Sequence, residues 1–281
     1  MRIFISADIE GVAGVTALPT TGPWRHEWAQ GRRWMTDEVL AAIAGARAAG
    51  ATSFVVSDGH GSAHNLLPDL FADDTELVRA WPRPLLQMDG IDHGKYDACI
   101  FIGHHAMAQA WRGVLAHSFT MTFREIRLCG VPQSETSINT HVAAHFGVPV
   151  VFASGDDAYI AHTRGFLPDI ETVTTQRALS YTSVACLTPA ESCRQIRAGV
   201  ERALARRAEI SGIVPPASYR LDIDFASRSQ PEMLDYLPWL ERTGPYTISL
   251  VVADAAEMLR FIAFLAFYQA EGVPRYGERR L

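Results

Sequence analysis

Three short apolar runs in this chain each end on side chains of the kind that bind metal ions. Ile3-Phe4-Ile5 leads into Asp8-Ile9-Glu10, Phe54-Val55-Val56 into Asp58-Gly59-His60, and Ile100-Phe101-Ile102 into Gly103-His104-His105. Runs of this length, rich in β-branched and aromatic residues, read as buried strands. In an open α/β sheet, functional groups collect where the strands deliver their carboxyl ends, so residues about fifty positions apart can converge there.

The stretches between the runs supply the crossovers. Helical spacing over Gln30 to Ala49 stops at Gly50, and Thr52 to Ser57 is the next strand. Leu77 to Ala80 reads as a short strand before a proline-rich turn, and Tyr96 to Ile102 as a buried one. His117 to Val131 is expected to be extended, with Phe119, Met121 and Phe123 alternating. A helix over Ser134 to Phe146 closes at Gly147, Val148 to Phe152 is a strand, and the loop Ser154 to Asp157 opens another helix. Ile170 to Thr175 is a further strand, followed by an amphipathic helix over Ala190 to Glu209. After Pro215-Pro216, strands over Tyr219 to Phe225 and Tyr246 to Val252 flank a helical Pro231 to Leu237, and a last helix runs over Ala255 to Glu271. The fold expected is α/β: a three-layer sandwich with a mostly parallel sheet in residues 1–212, plus a smaller C-terminal α/β unit in 213–281 suited to oligomerisation or to covering the site.

Composition limits the partners. The 281 residues are 48% hydrophobic and 20% charged, ordinary for a globular protein with a sizeable core. A net charge of -6 and the absence of any Lys/Arg tract longer than a pair argue against a nucleic-acid partner. The apolar stretch from Phe261 to Tyr268 is far shorter than the roughly 20 residues a membrane span needs, so no membrane partner is expected. Between Arg2 and Asp8 there is too little apolar sequence for a secretory signal, and a cytoplasmic location is expected. Cys99, Cys129, Cys186 and Cys193 form no C-x-x-C pair and read as free buried thiols. A bound zinc ion would then be held by oxygen and imidazole, which suits an open catalytic site better than a closed structural one.

Each candidate ligand has a plainer reading beside the functional one. Asp8 and Glu10 project to one side if the strand continues through them, and are otherwise a solvated loop pair. His60 sits between two glycines that let the backbone turn sharply, with Asp58 placed to orient its ring, or else it decorates an ordinary turn. His104 follows its strand directly, whereas His105 is expected to face elsewhere, so one ligand is expected from the pair. Glu135 lies in the first turn of a helix, where the macrodipole alone favours a carboxylate. His117 has no local metal spacing. No phosphate-binding glycine fingerprint and no G-x-S-x-G elbow occurs, and Trp24, Trp28 and Trp34 read as packing.

Taken together, Ser6 to Gly14, Ser57 to His60, Gly103 to Ala106, Gly113 to Ser118 and Ser134 to Asn139 resemble the zinc-dependent D-aminopeptidases of the DppA type. The order and intervals of these segments match, and the likeness runs on to Ala153 to Asp157 and Cys186 to Ala190. The resemblance implies two zinc ions per subunit held by Asp8, Glu10, His60, His104 and Glu135, with Asp8 the natural bridge, and a catalytic role for His117. It also implies a short peptide substrate with a free N-terminus and a preferred D-residue such as D-Ala, and a ring-shaped homodecamer. Ser134 departs from the glycine common at that position, and the loop from Thr16 to Ala29 is rich in Trp and Pro. Two other readings compete: a dinuclear metallohydrolase of other amides or of phosphate esters, and a non-catalytic assembly protein stapled by its metal ions.

Overall fold

A computed structural model describes residues 1–268. In chain order the elements are β1 (Arg2–Ala7), α1 (Trp28–Ala48), β2 (Ser53–Asp58), β3 (Thr75–Val78), β4 (Ala98–His104), β5 (Phe123–Leu128), β6 (Val131–Pro132) and α2 (Glu135–His145). There follow β7 (Val150–Asp156), α3 (Asp157–Phe166), β8 (Glu171–Ser180), β9 (Ser183–Cys186) and α4 (Pro189–Ala205). The chain continues through β10 (Tyr219–Phe225), α5 (Ser229–Leu234), β11 (Glu241–Arg242), β12 (Thr247–Val252) and α6 (Ala255–Phe267). Residues 269–281, including the far end of the helix expected to reach Glu271, lie outside the described residues.

The larger sheet has the order β3-β2-β1-β4-β7-β8-β9, parallel throughout except for β9 against β8. Its central strands are buried along nearly their whole length, which explains why they read as continuous apolar runs rather than alternating ones. Ile3, Ile5 and Ala7 face a layer containing Met35, Val39, Ile43 and Ala46 of α1 and Ile196, Val200 and Leu204 of α4. Phe4 and Phe101 face the opposite layer, with Ile138 and Val142 of α2 and Tyr159 of α3. That is the three-layer sandwich. The helices α1 and α4 touch so closely that a Cβ on Gly45 would stand 2.3 Å from the Arg197 carbonyl oxygen.

The strand order reverses beside β1: β2 and β3 lie to one side, β4 and β7 to the other. A crevice forms at the carboxyl ends of strands flanking such a switch point. Here the loops after β1, β2 and β4 enter it.

The second sheet, β11-β12-β10-β5-β6, is antiparallel. Two of its strands come from residues 123–132 and three from residues 219–252. The C-terminal segment therefore completes a sheet begun in the middle of the chain, pairing Tyr219–Phe225 with Phe123–Leu128 across the expected boundary at 212/213. Within the expected extended stretch from His117 to Val131, only Ser118 and Thr120 bridge before β5 begins. Strand β8 runs five residues past the expected Thr175 end, and β9 was not expected at all. Of the cysteines, only Cys99 is buried, though all four are free. Trp24 is fully exposed rather than packed. Among the described residues, no helix is long and apolar enough to cross a membrane.

Candidate metal centre

Beyond β1 the backbone stays fastened to β4: the Asp8 N–H donates to the Ile102 carbonyl and the Gly11 N–H to the Gly103 carbonyl, both at 2.8 Å. The approach is close enough that only glycine fits. A Cβ on Gly11 would lie 1.9 Å from the His104 carbonyl oxygen, and one on Gly103, whose φ is +70°, would lie 2.3 Å from that of Asp8. Gln176 of β8 donates to the Glu10 carbonyl at 2.6 Å. Strand β1 ends at Ala7, so Asp8 and Glu10 sit on a turn rather than on a continuing strand. Their carboxylates nevertheless meet at one imidazole: His60 Nδ1 is 3.3 Å from Asp8 Oδ1 and 2.9 Å from Glu10 Oε2.

Asp58 does not orient that ring. It ties down the following loop instead, accepting from Asn65 N at 2.6 Å, Asn65 Nδ2 at 2.8 Å and Leu66 N at 2.8 Å. The ring is held by the Thr21 carbonyl, 2.6 Å from His60 Nε2. The same arrangement recurs at every histidine of the crevice. His104 Nε2 lies 3.3 Å from the Ser6 carbonyl, His105 Nδ1 is 2.9 Å from that of Ala106, and His117 Nδ1 is 2.8 Å from that of Leu115. A carbonyl only accepts, so in each ring the nitrogen facing it carries a proton, and the other is the one left to offer a lone pair to a cation.

Those second nitrogens point at carboxylates. His104 Nδ1 is 4.0 Å from Asp8 Oδ2; His105 Nε2 is 3.7 Å from the same oxygen and 3.4 Å from Glu135 Oε1; His117 Nε2 is 4.0 Å from Glu135 Oε1. A proton on the imidazole or a cation between the partners relieves the repulsion of facing lone pairs, and at His104, where burial lowers the pKa, the lone pair is free for a cation. Anchoring one ring nitrogen on a main-chain carbonyl and freeing the other is the way proteins present histidine to a metal. Three overlapping sets bring their ligand atoms within 4.8 Å of one another: Asp8, Glu10 and His60; Asp8, His105 and Glu135; Glu10, His105 and His117. Glu10 Oε2 is buried without a hydrogen bond, an acceptor still wanting a partner. The donor set, oxygen and imidazole without thiolate, fits zinc in an open site.

The electrostatics agree. Burial pushes the His60 pKa down, but the Glu10 and Asp8 carboxylates reverse this and hold it well above the ordinary range. His105 behaves likewise beside Glu135, Glu10 and Asp8. Burial would raise the Asp8 carboxyl, yet His60, His105 and His104 pull it well below its usual value. Glu135 is lowered by His105 and His117 against the same burial. At His104 desolvation wins, and the ring is held neutral with its Nδ1 lone pair available. A field that stabilises buried positive charge so strongly is one that binds cations.

Glu135 reaches the crevice as the first residue of α2. Ser134 is the N-cap, its hydroxyl accepting from Ser137 N at 3.0 Å while the Ser137 hydroxyl accepts from Ser134 N at 2.9 Å. The buried Gln87 amide donates to Glu135 Oε2 at 2.6 Å, and Phe119 N donates to Oε1 at 2.6 Å. Asp8, Glu10, His60, His104, Glu135 and His117 are thus brought together, and the structure adds His105, Gln87 and Thr21 to them. His117 stacks on His105, ring centroids 4.2 Å apart, and remains partly open to a cavity of about 220 Å³.

A parallel sheet whose switch-point crevice collects carboxylates and carbonyl-anchored imidazoles beside an open cavity defines an α/β metallohydrolase. The family model for D-aminopeptidases matches residues 1–264, and the chain belongs to that peptidase family. A curated D-aminopeptidase of Bacillus subtilis (strain 168) is 28% identical over 258 residues, covering 92% of this chain and 93% of that protein. The solved structure of the Zn-dependent D-aminopeptidase DppA from Bacillus subtilis, described as a self-compartmentalizing protease, superposes with a TM-score of 0.89 at 26% identity, over 96% of this chain and 99% of that one.

Proposed function

We propose that this enzyme is a dinuclear zinc aminopeptidase that removes the N-terminal residue from short peptides beginning with a D-amino acid, D-Ala among them. The observation that carries the reading is the convergence of carbonyl-anchored imidazoles with the buried carboxylates of Asp8, Glu10 and Glu135, overlapping oxygen and nitrogen donor sets of the kind that hold two cations. Asp8, Glu10, His60, His104 and Glu135 would hold the two ions. His105, which burial alone would keep neutral but Glu135, Glu10 and Asp8 hold well above the ordinary pKa range, braces Asp8 and Glu135 as a cation.

Bound zinc supplies Lewis acidity and a water acidified to about neutrality. The chain's own groups do the rest. His117, its Nδ1–H fixed on the Leu115 carbonyl, keeps Nε2 free over the cavity to take a proton and return it to the departing amine. Gln87 and Phe119 hold the Glu135 carboxylate in one orientation by donating to its two oxygens. The metal centre or a carboxylate beside it would hold the substrate's free amine, which restricts cleavage to the first residue.

The Bacillus subtilis neighbour is self-compartmentalizing, and we propose a homo-oligomeric ring, a homodecamer, for this chain as well. Trp24, Trp111, Tyr236 and Trp239 are more than half exposed, apolar surface of the kind that association covers. A cytoplasmic location is proposed with it.

The test is amino-acid release from matched D-Ala-D-Ala and L-Ala-L-Ala by zinc-loaded and chelator-treated protein, with bound zinc counted by elemental analysis. Two zinc ions per chain and chelator-sensitive cleavage of the D peptide are expected. Failure to release an amino acid from any D peptide would sink the proposal, and turnover of an aryl phosphate instead would move the site to phosphate esters.

A further inference from the structure

The cavity that reaches Asp8, His60, His117 and Glu135 has a second, apolar lining made by Trp81, Leu86, Phe119 and Phe267. None of these side chains is used by the chemistry above. Trp81 is the most firmly held. Its indole N–H donates to the Gly61 carbonyl at 2.6 Å, one residue past His60. The Arg83 guanidinium lies 3.9 Å from its ring centroid, and the Phe267 ring packs 5.2 Å away at a tilt of 45°. Arg83 is itself buried, donating to the carbonyls of Asp58 at 2.6 Å and Val78 at 3.0 Å. An aromatic ring fixed on three sides is a preformed wall, with no ordering left for a ligand to impose.

We infer that this wall receives the side chain of the residue that is released, so that the site favours an N-terminal residue with an aromatic or large aliphatic side chain over alanine. The inference rests on the aminopeptidase reading. Such an enzyme must keep one residue's free amine and its scissile carbonyl at the same centre. The side chain springs from the carbon between those two groups and must therefore lie in the same cavity. The amine and carbonyl occupy the lining made by Asp8, His60, His117 and Glu135. Among the described residues, the apolar lining left for the side chain is the wall. A cavity of about 220 Å³ is shared between the two linings, enough that a methyl group leaves the rings of Trp81 and Phe267 uncovered. Filling apolar space of this kind changes specificity by tenfold or more per well-placed methylene.

The experiment compares kcat/KM of the zinc-loaded protein for D-Phe-D-Ala, D-Ala-D-Phe and D-Ala-D-Ala, and measures the Kd of free D-Phe and D-Ala by calorimetry. The expected result is a preference of tenfold or more for D-Phe-D-Ala over D-Ala-D-Ala and a matching preference for D-Phe over D-Ala in binding. Phe267→Ala and Trp81→Leu should each shrink both ratios to about threefold or less. If the two rings are merely structural, each variant lowers turnover of all three peptides by the same factor and leaves the ratios intact, which overturns the inference. So does D-Ala-D-Phe as the best substrate, since the wall would then serve the second residue. Should no peptide be hydrolysed while D-Phe still outbinds D-Ala and loses that advantage in both variants, the wall stands and the aminopeptidase reading falls. Should no peptide be hydrolysed and the two amino acids bind alike, both fall.

Discussion

Each imidazole in the crevice has one nitrogen committed to a main-chain carbonyl, so the protein has already chosen which nitrogen faces the carboxylates. His117 and His60 are the two partly exposed imidazoles at the cavity, and of these His117 is the one not among the proposed ligands, so its removal should separate binding from chemistry. His117→Ala is expected to retain bound zinc by elemental analysis while kcat falls about 100-fold or more, the scale of a lost general acid and base. Gln87 acts through Glu135. Replacing it in Gln87→Leu removes the donor to Oε2 at nearly constant shape, and kcat/KM or zinc affinity should fall roughly 10–100-fold; an unchanged zinc titration and unchanged rate would refute the role. Four of the proposed ligands, Asp8, Glu10, His60 and His104, stood out as candidates because each lies within a few residues of the end of an apolar run, and the resemblance to a family then chose the metal reading over the plainer one. His105 did not, because strand alternation puts neighbours on opposite faces. Gly103, at φ +70°, breaks that alternation just before the pair, and both rings enter the crevice. Glu135 and His117 carry no local signal of their own; they were found through the resemblance of the whole sequence to a family.

At the scale of elements, the loop after β1 is clamped from behind by α1 and α4. Glu38 of α1, fully buried, accepts from Ala13 N at 3.0 Å and from the Ser192 hydroxyl at 2.7 Å through one oxygen, and its other oxygen has no partner. Burial, only partly opposed by these two hydrogen bonds, pushes its pKa up to about 7. The folded state therefore holds a proton that the unfolded chain has released above about pH 4.5. Stability from this group is present in full below pH 4.5 and declines as pH rises through 7. Glu38→Gln keeps the accepting oxygen and cannot ionise. Denaturation of chelated protein should show the stability of the variant relative to the parent rising by up to about 3 kcal/mol between pH 4.5 and 8; a flat difference would rule out the protonated state. The helices could be read within a few residues because their apolar faces keep one period, and the central strands because burial on both faces makes them continuous apolar runs. Residues 117–131 could not, since the spacing of Phe119, Met121 and Phe123 mimics a strand while only the last of them enters β5. Nothing in Ser183–Cys186 distinguishes β9 from a loop, because the hairpin with β8 supplies its order.

For the whole molecule, the metal site and the fold are one thermodynamic system. Asp8, Glu10 and Glu135 are buried together, and removing the compensating charge should destabilise the entire chain. Chelation is expected to lower Tm, with zinc at 100 times its Kd restoring about 2.7 kcal/mol; a Tm indifferent to zinc would argue that the cluster binds none. Light scattering at working concentration should give the mass of a multi-chain ring, and a monomer would count against the proposed assembly. The pairing of β5 with β10 carries a further consequence, for the order in which the protein is made. All the proposed metal ligands have left the ribosome once Glu135 has emerged, yet the strand that follows the His117 loop, paired until then with the two-residue β6 alone, gains β10 on its other edge only when Tyr219–Phe225 follows, about ninety residues later. At ~5–20 residues per second this leaves an interval of roughly 5–20 s in which every proposed ligand is outside the ribosome while the second sheet is still incomplete. During synthesis the residues of the proposed site are thus all present before the fold that would hold His117 among them is complete.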